Sequence, residues 1–562
     1  MTELLVIIVV GLLVIGAATM IGPRLGIAVP LVLVVIGVAA SFLPVFAAVE
    51  IEPEWILEGV LPPLLYSSAV SMPSMNFRRE FGAISGLSVV LVVGSALLLG
   101  LFFMLVIPGL GFAWGVALGA VISPTDAVAT SIIKKTSTSK RVVAILDGES
   151  LLNDATALVL LRTAIIAAAA TFSFWGTIGS FAYSVVVAVV IGWLVGWLNL
   201  VVRKRVTDPT VNTVISFTVP FVAAVPAELF GASGLVAAVV AGIITGIRAP
   251  RMLSPQNRLS DTQNWHTVEL VLEGAVFLTM GLQLKAIVEQ VEKDHAGVGT
   301  AVIIAVVALV LTIVIRAAFV APLLALLSRR IRRTSKMKPR LQDLQEQMTT
   351  PVGQQQAIES MNSRGRSTPI GGRTATIRDL DRFARRVTKM LADIDYFRRE
   401  RLGWREGLTV VWAGMRGAVT VAAVQTLPSE TPQRSVLVLV AFAVAAFSLL
   451  VQGGTIGPLV RMISPKVDQN ALDKESETER TKIMELMRKS AQAIPEPSRP
   501  DGEPTLESFQ EQRKYRLAVL EAQRAELLDA RDNGIFDADV LESLLANLDA
   551  SQIAMEMRGT RA

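Results

Sequence analysis

The segment Gly148-Glu149-Ser150-Leu151-Leu152-Asn153-Asp154-Ala155 places polar side chains in the middle of an apolar stretch that begins at Val142. Positions four apart on a helix share a face, so Ser150 lies one turn before Asp154 and Glu149 lies one turn before Asn153. A charged side chain at the centre of a membrane helix costs roughly 2.5–3.5 kcal/mol, so it is usually retained for a function. The segment therefore predicts a membrane helix that carries an ion or proton site.

The composition favours a membrane protein. Of 562 residues, 52% are hydrophobic, which is too apolar for a soluble chain of this length. The net charge of +5 comes mainly from basic residues between apolar blocks, so it reflects membrane topology and indicates no nucleic-acid partner. The absence of cysteine excludes disulfides and thiol catalysis. These properties predict an all-α polytopic protein whose main partner is the lipid bilayer.

Hydropathy predicts thirteen membrane-spanning helices, numbered here as spans one to thirteen. An odd number of spans puts the two termini on opposite sides of the membrane. The predicted spans lie near residues 3–21, 25–48, 54–72, 82–107, 111–133, 142–170, 174–202, 210–228, 232–248, 265–285, 298–328, 405–427 and 433–462.

The loops between these spans differ strongly in basic charge. One alternating set contains thirteen lysines and arginines, whereas the other contains only Lys285, Lys293 and Arg434. Because basic loops stay in the cytoplasm, we predict that the amino terminus lies outside and the carboxyl terminus lies inside. The thirteen residues are Arg24, Arg78, Arg79, Lys134, Lys135, Lys140, Arg141, Arg203, Lys204, Arg205, Arg248, Arg251 and Arg258.

Two polar segments fall on the predicted cytoplasmic side. Residues 329–404 form a basic loop insertion, predicted to be partly disordered, between a first membrane part at 1–328 and a last membrane part at 405–464. Residues 465–562 carry amphipathic helical patterns and predict a helical regulatory tail rather than an enzyme domain. The basic cytoplasmic loops are candidates for contact with anionic lipid.

Two further spans contain breaks in their helical pattern. Ser123-Pro124-Thr125-Asp126 interrupts span five, because proline removes a backbone donor and clashes with the preceding turn. Ala413-Gly414-Met415-Arg416-Gly417-Ala418 interrupts span twelve. Interrupted helices at corresponding places are typical of transporters built from inverted repeats, here spans four to six and eleven to thirteen. Backbone carbonyls freed at such breaks can bind a hard cation together with carboxylate, hydroxyl and amide oxygens.

These motifs resemble the monovalent cation:proton antiporter family, which includes bacterial sodium/proton antiporters and animal sodium/hydrogen exchangers. The resemblance rests first on GESLLNDA at 148–155 and SPTDAVAT at 123–130. It extends through LPPLLY at 61–66, FLTMGLQL at 277–284 and GMRGAV at 414–419, and it covers nearly the whole chain. The tail is similar to tails of bacterial members, so the resemblance implies the plasma (inner) membrane of a bacterium.

The family implies a core domain, in which two discontinuous helices cross, that moves against a dimerisation domain built from spans one to three and seven to ten. A homodimer is therefore expected. Asp154 would be the carboxylate that binds either a proton or the cation. Asn153, Ser150, Thr125 and Asp126 would complete the ion site, with sodium held at Asp154, Ser150 and Thr125.

The remaining candidate residues are expected to stabilise the core or to line the access path to the ion site. The resemblance implies that Glu149 pairs with Arg316 and holds the core together. Four residues would support the helix breaks, and Arg416 among them would offset the carbonyl dipoles there: Pro124, Gly414, Arg416 and Gly417. Three others are candidates for an access funnel: Glu273, Glu228 and Ser67.

Competition between a proton and a cation for Asp154 predicts secondary active transport by alternating access, in which a monovalent cation is exchanged for H⁺. The expected cation is Na⁺, with Li⁺ as a further substrate. Loss of hydration favours the neutral form of a carboxylic acid, and one carboxylate loaded by either ion predicts electroneutral exchange. No enzymatic activity and no cofactor beyond the transported ions are expected. The alternatives are a K⁺/H⁺ antiporter of the same fold and a transporter-like sensor of cation or pH.

Two residues depart from the family pattern, and one motif suggests a rival class. Ser67 follows Tyr66 where many bacterial members have an acidic residue, and Arg162 is not part of the pattern. GASG at 231–234 fits a motif of intramembrane serine proteases. Such an enzyme needs a histidine base at membrane depth, whereas neither histidine of this chain falls in the middle of a span.

Overall fold

The structure, a computed structural model, describes residues 2–25, 27–43, 54–134, 136, 138–169, 174–294, 297–349, 354–355, 377–463, 469–497 and 506–559. Every regular element within these residues is a helix, as the sequence predicts. Nine of the described helices are long and apolar enough to cross a membrane, and two shorter apolar helices accompany them. Part of the predicted disordered insertion lies outside the described residues.

In the residues that the structure describes, the membrane part consists of α-helices and three short π-helical segments. The helices are α1 Thr2–Leu25, α2 Val29–Ser41, α3 Leu61–Ser71, α4 Ser74–Ser85, α5 Val92–Val106, α6 Phe112–Ile122, α7 Val128–Ile133, α8 Lys140–Ala169, α9 Phe174–Arg203, α10 Pro209–Leu229, α11 Gly234–Met252, α12 Pro255–Lys293 and α13 Val298–Ser335. After the insertion come α16 Trp404–Trp412, α17 Ala418–Gln425, α18 Arg434–Ser448 and α19 Gly454–Ile463. The π-helical segments are Trp55–Val60, Gly86–Leu91 and Leu449–Gly453.

The chain divides into two compact units. The first is Met1–Leu324 with Leu402–Pro465, and the second is Ala325–Arg401 with Lys466–Ala562. The second unit contains α14 Lys338–Thr349, α15 Ile377–Arg399, α20 Gln469–Gln492, α21 Leu506–Asn533 and α22 Ala538–Gly559. The first unit holds every candidate site residue.

Within the first unit, α1–α3 and α9–α12 pack mainly on one another. Small residues allow their backbones to approach closely, as is usual for membrane helices. A Cβ atom on Gly281 of α12 would overlap the backbone of α2 at Val34, and Gly37 of α2 faces Gly281 in return. This group, called here the scaffold group, contains the helices that the family resemblance assigns to dimerisation; the dimer itself stays a prediction.

A second group, called here the core group, is formed by α4–α8 and α16–α19. Within it α6 lies against α5 and α8, and a Cβ atom on Gly119 would overlap the backbone of α5 at Ala96. The helix α6–α7 is broken at residues 123–127, and α16–α17 is broken at residues 413–417. Both predicted discontinuous helices are therefore confirmed.

The two breaks meet directly. Asp126 donates its backbone N–H to the carbonyl of Met415 at 2.7 Å, and Arg416 donates Nε–H to the carbonyl of Ile122 at 2.9 Å. Since both breaks leave backbone groups without helical partners, these bonds satisfy them across the crossing. The broken helix is the middle member of both predicted repeats.

The second unit has its own apolar clusters. Val387 of α15 packs with Leu341 and Met348 of α14, and Lys338 forms an ion pair with Asp395. A separate cluster joins α20, α21 and α22 through Ile483, Leu527 and Leu541, which are fully buried. Helices therefore occupy the tail segments whose amphipathic pattern predicts them.

Candidate functional site

Thr125 is the point at which the break in α6–α7 contacts α8. Its side chain is buried, at 4% exposure. Its Oγ1 accepts a hydrogen bond from Asn153 Nδ2 at 2.8 Å and donates one to Glu149 Oε1 at 3.1 Å. Its carbonyl accepts a second bond from Asn153 Nδ2 at 3.0 Å. The break thus presents both a hydroxyl and a carbonyl oxygen to the polar segment of α8.

Glu149 and Arg316 form a buried ion pair between α8 and α13. Arg316 Nη2 lies 2.8 Å from Glu149 Oε2, and Nη1 contacts Oε1, so the pair is bidentate. Arg316 Nε also donates to the carbonyl of Val410 at 2.9 Å, which connects α16 to the pair. Both side chains are at most 2% exposed. A desolvated pair needs this full set of hydrogen bonds, because one unpaired charge would be costly.

Asp126 lies at the crossing itself. Its Oδ1 accepts the backbone N–H of Val128 at 2.9 Å, so it caps the half-helix α7. Its carboxylate rests against Gly417, where any Cβ atom would overlap it. Gly417 precedes the first residue of α17, whose amino-terminal dipole attracts a negative charge. Asp126 is therefore held by the amino ends of both half-helices.

Arg416 binds backbone carbonyls at both breaks. Its side chain is 2% exposed, and besides the bond to Ile122 it donates Nη1–H to the carbonyl of Gly414. Its backbone N–H donates to Ser448 Oγ at 2.9 Å. Gly414 in turn leaves room for Arg316, since a Cβ atom there would lie 2.7 Å from Arg316 Cδ. The positive charge of Arg416 therefore faces oriented carbonyl dipoles.

Asp154 lies on α8 one residue after Asn153 and is half-buried. It is close enough to Asp126 for the two carboxylates to repel each other. The Oδ1 atom of Asn153 is buried and has no hydrogen-bond donor within the described part of the chain. Two carboxylates and an unsatisfied amide oxygen therefore gather where the broken helices meet α8, an oxygen-rich arrangement suited to an alkali cation or a proton.

Ser150 occupies the position one turn before Asp154. Its Oγ donates to the carbonyl of Asp147 in the same helix at 3.1 Å. The hydroxyl hydrogen therefore points along α8, and the oxygen still has a lone pair with which it can bind a cation.

Two of the three funnel candidates lie on one side of the site. Glu273 of α12 is within electrostatic range of Asp126 and of Glu269, which precedes it by one helical turn. Ser67 of α3 is buried and donates Oγ–H to Glu269 Oε2 at 3.3 Å. The structure therefore places Ser67 and Glu273 around a residue, Glu269, that the motifs do not reveal.

The third candidate, Glu228, lies apart from these residues. Its Oε2 is 3.7 Å from Nη2 of Arg162, which is eight residues beyond Asp154 on α8. Arg162 thus faces the end of α10 in the scaffold group. Both side chains are partly exposed, at 55% for Arg162 and 35% for Glu228, so the pair contributes little stability.

Sequence reasoning missed the ionic contacts that join distant helices. Lys134 Nζ lies 2.9 Å from Asp147 Oδ2 near the start of α8. A buried pair also joins Arg141 Nε to Glu80 Oε1 at 2.6 Å. For Glu269, the sequence contained one signal, its spacing of four residues from Glu273. For the ion pairs of Lys134 and Arg141, the sequence contained no sign of which acidic residue is the partner.

Comparison with known proteins gives the family. The profile described as "Sodium/hydrogen exchanger, transmembrane" matches residues 8–344 and 383–462. An uncharacterised Na⁺/H⁺ exchanger of Mycobacterium bovis is 24% identical over 98% of this chain and 96% of its own length. A sodium, potassium, lithium and rubidium/H⁺ antiporter of Bacillus subtilis is 28% identical over 48% of this chain and 42% of its own length.

A solved structure has the same fold. The sodium proton antiporter MjNhaP1 of Methanocaldococcus jannaschii superimposes with a TM-score of 0.54 over 82% of this chain and 99% of that one, at 13% identity. The family profile covers both broken helices, all of α8 and the Glu149–Arg316 pair. This chain is therefore a multi-pass membrane transporter that belongs to the sodium/hydrogen exchanger family.

Proposed function

We propose that the protein exchanges a monovalent cation, Na⁺ first and Li⁺ as a further substrate, for H⁺, with Asp154 carrying one ion or the other. The observation that supports this most directly is the position of Asp154, within electrostatic range of Asp126 and next to Asn153, whose amide donates to Thr125 at the break of α6–α7. A carboxylate there has lost part of its hydration, so a bound proton or cation offsets its charge.

Competition for one carboxylate couples the two fluxes. When the cation leaves Asp154, a proton takes its place, and the core group then crosses with the same charge in either direction. Asn153 is neutral, so the pair 153–154 holds one exchangeable charge. The exchange is therefore electroneutral, with one cation moved for one proton.

A K⁺/H⁺ antiporter is the second candidate. The Bacillus subtilis relative is described as transporting potassium and rubidium as well as sodium and lithium. The oxygen ligands at the crossing do not by themselves exclude the larger ions.

The remaining parts of the proposal concern the whole protein. The loops rich in lysine and arginine face the cytoplasm of a bacterial cell, with the amino terminus outside and the carboxyl terminus inside. Two copies associate through the scaffold group, and the core group moves against that fixed part. Residues 465–562 form a regulatory tail.

Reconstituted vesicles test the proposal. The purified protein, in liposomes with an interior pH dye and an outward H⁺ gradient, is challenged with Na⁺, Li⁺ or K⁺. We expect proton movement on addition of Na⁺ and Li⁺, and loss of nearly all of it in Asp154→Asn, because an amide does not take up and release a proton near neutral pH and so has no proton to exchange for the cation. A response to K⁺ alone would favour the second candidate.

A matched substitution separates loss of function from loss of folding. Asp294, an exposed residue at the end of α12, is the control: Asp294→Asn should transport as wild type. If the well-folded wild-type protein moves no protons on addition of any of the three cations, the result would contradict transport and favour a sensor.

A further inference from the structure

Three titratable side chains form a row on one face of α12. His266, Glu269 and Glu273 are spaced by three and four residues, so they lie above one another along the helix. The last of them is within electrostatic range of Asp126. The row therefore leads along the scaffold group toward the crossing of the broken helices.

Ser67 fixes the middle member of this row. Its hydroxyl, at 2% residue exposure, donates to Glu269 Oε2 at 3.3 Å from the neighbouring helix α3. This bond orients the carboxylate while using only one of its oxygens. A carboxylate at position 67 itself would lie in nearly the same place, because the two side-chain oxygens are already adjacent.

The core group faces this row with charged residues of its own. The Lys134–Asp147 pair lies within electrostatic range of Glu269, as does His266. Lys134 is 53% exposed, so this end of the row is open to water, and by the charge of its loops it is the cytoplasmic end. Going inward, Glu269 is followed by Glu273 and then by Asp126.

We propose, on the basis of the proposed exchange function, that Glu269 is an affinity-determining residue: the carboxylate of the scaffold group that receives the cation on its way from the cytoplasm to Asp154. Carboxylates along a cleft with low-dielectric walls concentrate cations locally. Glu269 acts on the cation before it reaches the crossing, and Ser67 is its positioning residue.

The test measures cation dependence separately at the two faces, in inside-out and right-side-out membrane vesicles. We expect Glu269→Gln to raise the cation concentration for half-maximal exchange at the cytoplasmic face by about fivefold or more, since one attracting charge is lost from the cleft. The maximal rate should change by less than about twofold and the outer-face affinity should be unchanged, because the acceptor at Asp154 is intact.

Restoring the charge from α3 makes the test specific. The double variant Glu269→Gln with Ser67→Asp should recover most of the cytoplasmic affinity. Ser67→Ala keeps the carboxylate but loses the hydrogen bond that orients it, so it should raise the half-maximal cation concentration at the cytoplasmic face by less than Glu269→Gln does. Glu292→Gln, an exposed substitution near the other end of α12, is the control and should behave as wild type.

Two outcomes would overturn the inference. One is a Glu269→Gln protein with wild-type affinity at the cytoplasmic face. The other is an equal fall in melting temperature for Ser67→Ala and Glu269→Gln with no change in affinity, which would make the contact structural only. Neither depends on the exchange proposal failing, because that failure would be seen as an inactive wild-type protein.

Discussion

Glu149 and Arg316 form a buried ion pair, and leaving either charge unpaired there would cost much free energy. Its bidentate contact joins α8 to α13, and the bond to Val410 adds α16. Thr125 donates to the same carboxylate, so the lone pairs of Glu149 are engaged by protein donors. A carboxylate so fully engaged holds three helices together and is poorly suited to exchange its partners for a moving cation.

Removing one partner tests that interpretation. Glu149→Gln leaves Arg316 charged and buried, so we expect a loss of roughly 3–5 kcal/mol in the free energy of unfolding. The double variant with Arg316→Met should recover part of it, because no charge is then buried. Thermal unfolding in detergent measures both, with Glu289→Gln, in an exposed pair with Lys285, as the near-neutral control.

Transport distinguishes the two interpretations of Glu149. If the double variant inserts and still exchanges cations at a measurable rate, the pair is structural. A stable double variant without exchange would instead show that Glu149 takes part in ion binding.

At the level of helices, the breaks were predictable and their contact was not. Pro124 lacks the backbone N–H that a continuous helix needs, and glycines at 414 and 417 weaken the second helix, so both interruptions follow from local chemistry. That the Asp126 carboxylate rests on Gly417 depends on two segments nearly three hundred residues apart, and no local pattern records it.

Gly417→Ala is the substitution that probes the crossing. The added methyl group overlaps the Asp126 carboxylate, so either the carboxylate or the α17 end must move. We expect a loss of about 1–3 kcal/mol in stability, as for other overpacked sites, together with a clear fall in exchange rate. Gly94→Ala in α5 is the matched control, since nothing lies within 4 Å of its Cβ position.

The outcome is read from melting temperature and vesicle transport together. Wild-type transport in Gly417→Ala would mean that the position of Asp126 against α17 is unimportant for exchange. If the melting temperature and the transport rate fall in both Gly94→Ala and Gly417→Ala, added methyl groups are poorly tolerated throughout the membrane part. The result would then say nothing specific about the crossing.

For the whole molecule, hydropathy predicted the helical architecture, but the sequence did not show which charges are paired. Arg141 and Arg203 enter the count of basic loop residues, yet the structure buries both, with Glu80 and Asp261 as their partners. Composition alone does not distinguish a solvated loop charge from a neutralised one at a helix end. The same limit hid Glu269, whose partner Ser67 lies 202 residues away in the chain.

The pH dependence of transport tests how many protons compete with one cation at Asp154. If one proton competes with one cation at Asp154, the cation concentration for half-maximal exchange should rise roughly tenfold for each unit by which pH falls, wherever the proton-bound form predominates. The sign is fixed: protons stabilise the form that excludes the cation, so acid weakens apparent cation affinity and alkali strengthens it until the carboxylate is mostly free of protons.

Rates measured at several pH values on both sides of the vesicle, with equal internal and external pH, give this slope. If one cation moves against one proton, a membrane potential set with K⁺ and valinomycin should leave the final Na⁺ gradient unchanged. A slope near two, or a gradient that follows the potential, would mean that more than one proton moves per cation. Asp126 would then be the first residue to substitute, since it is the carboxylate within electrostatic range of Asp154.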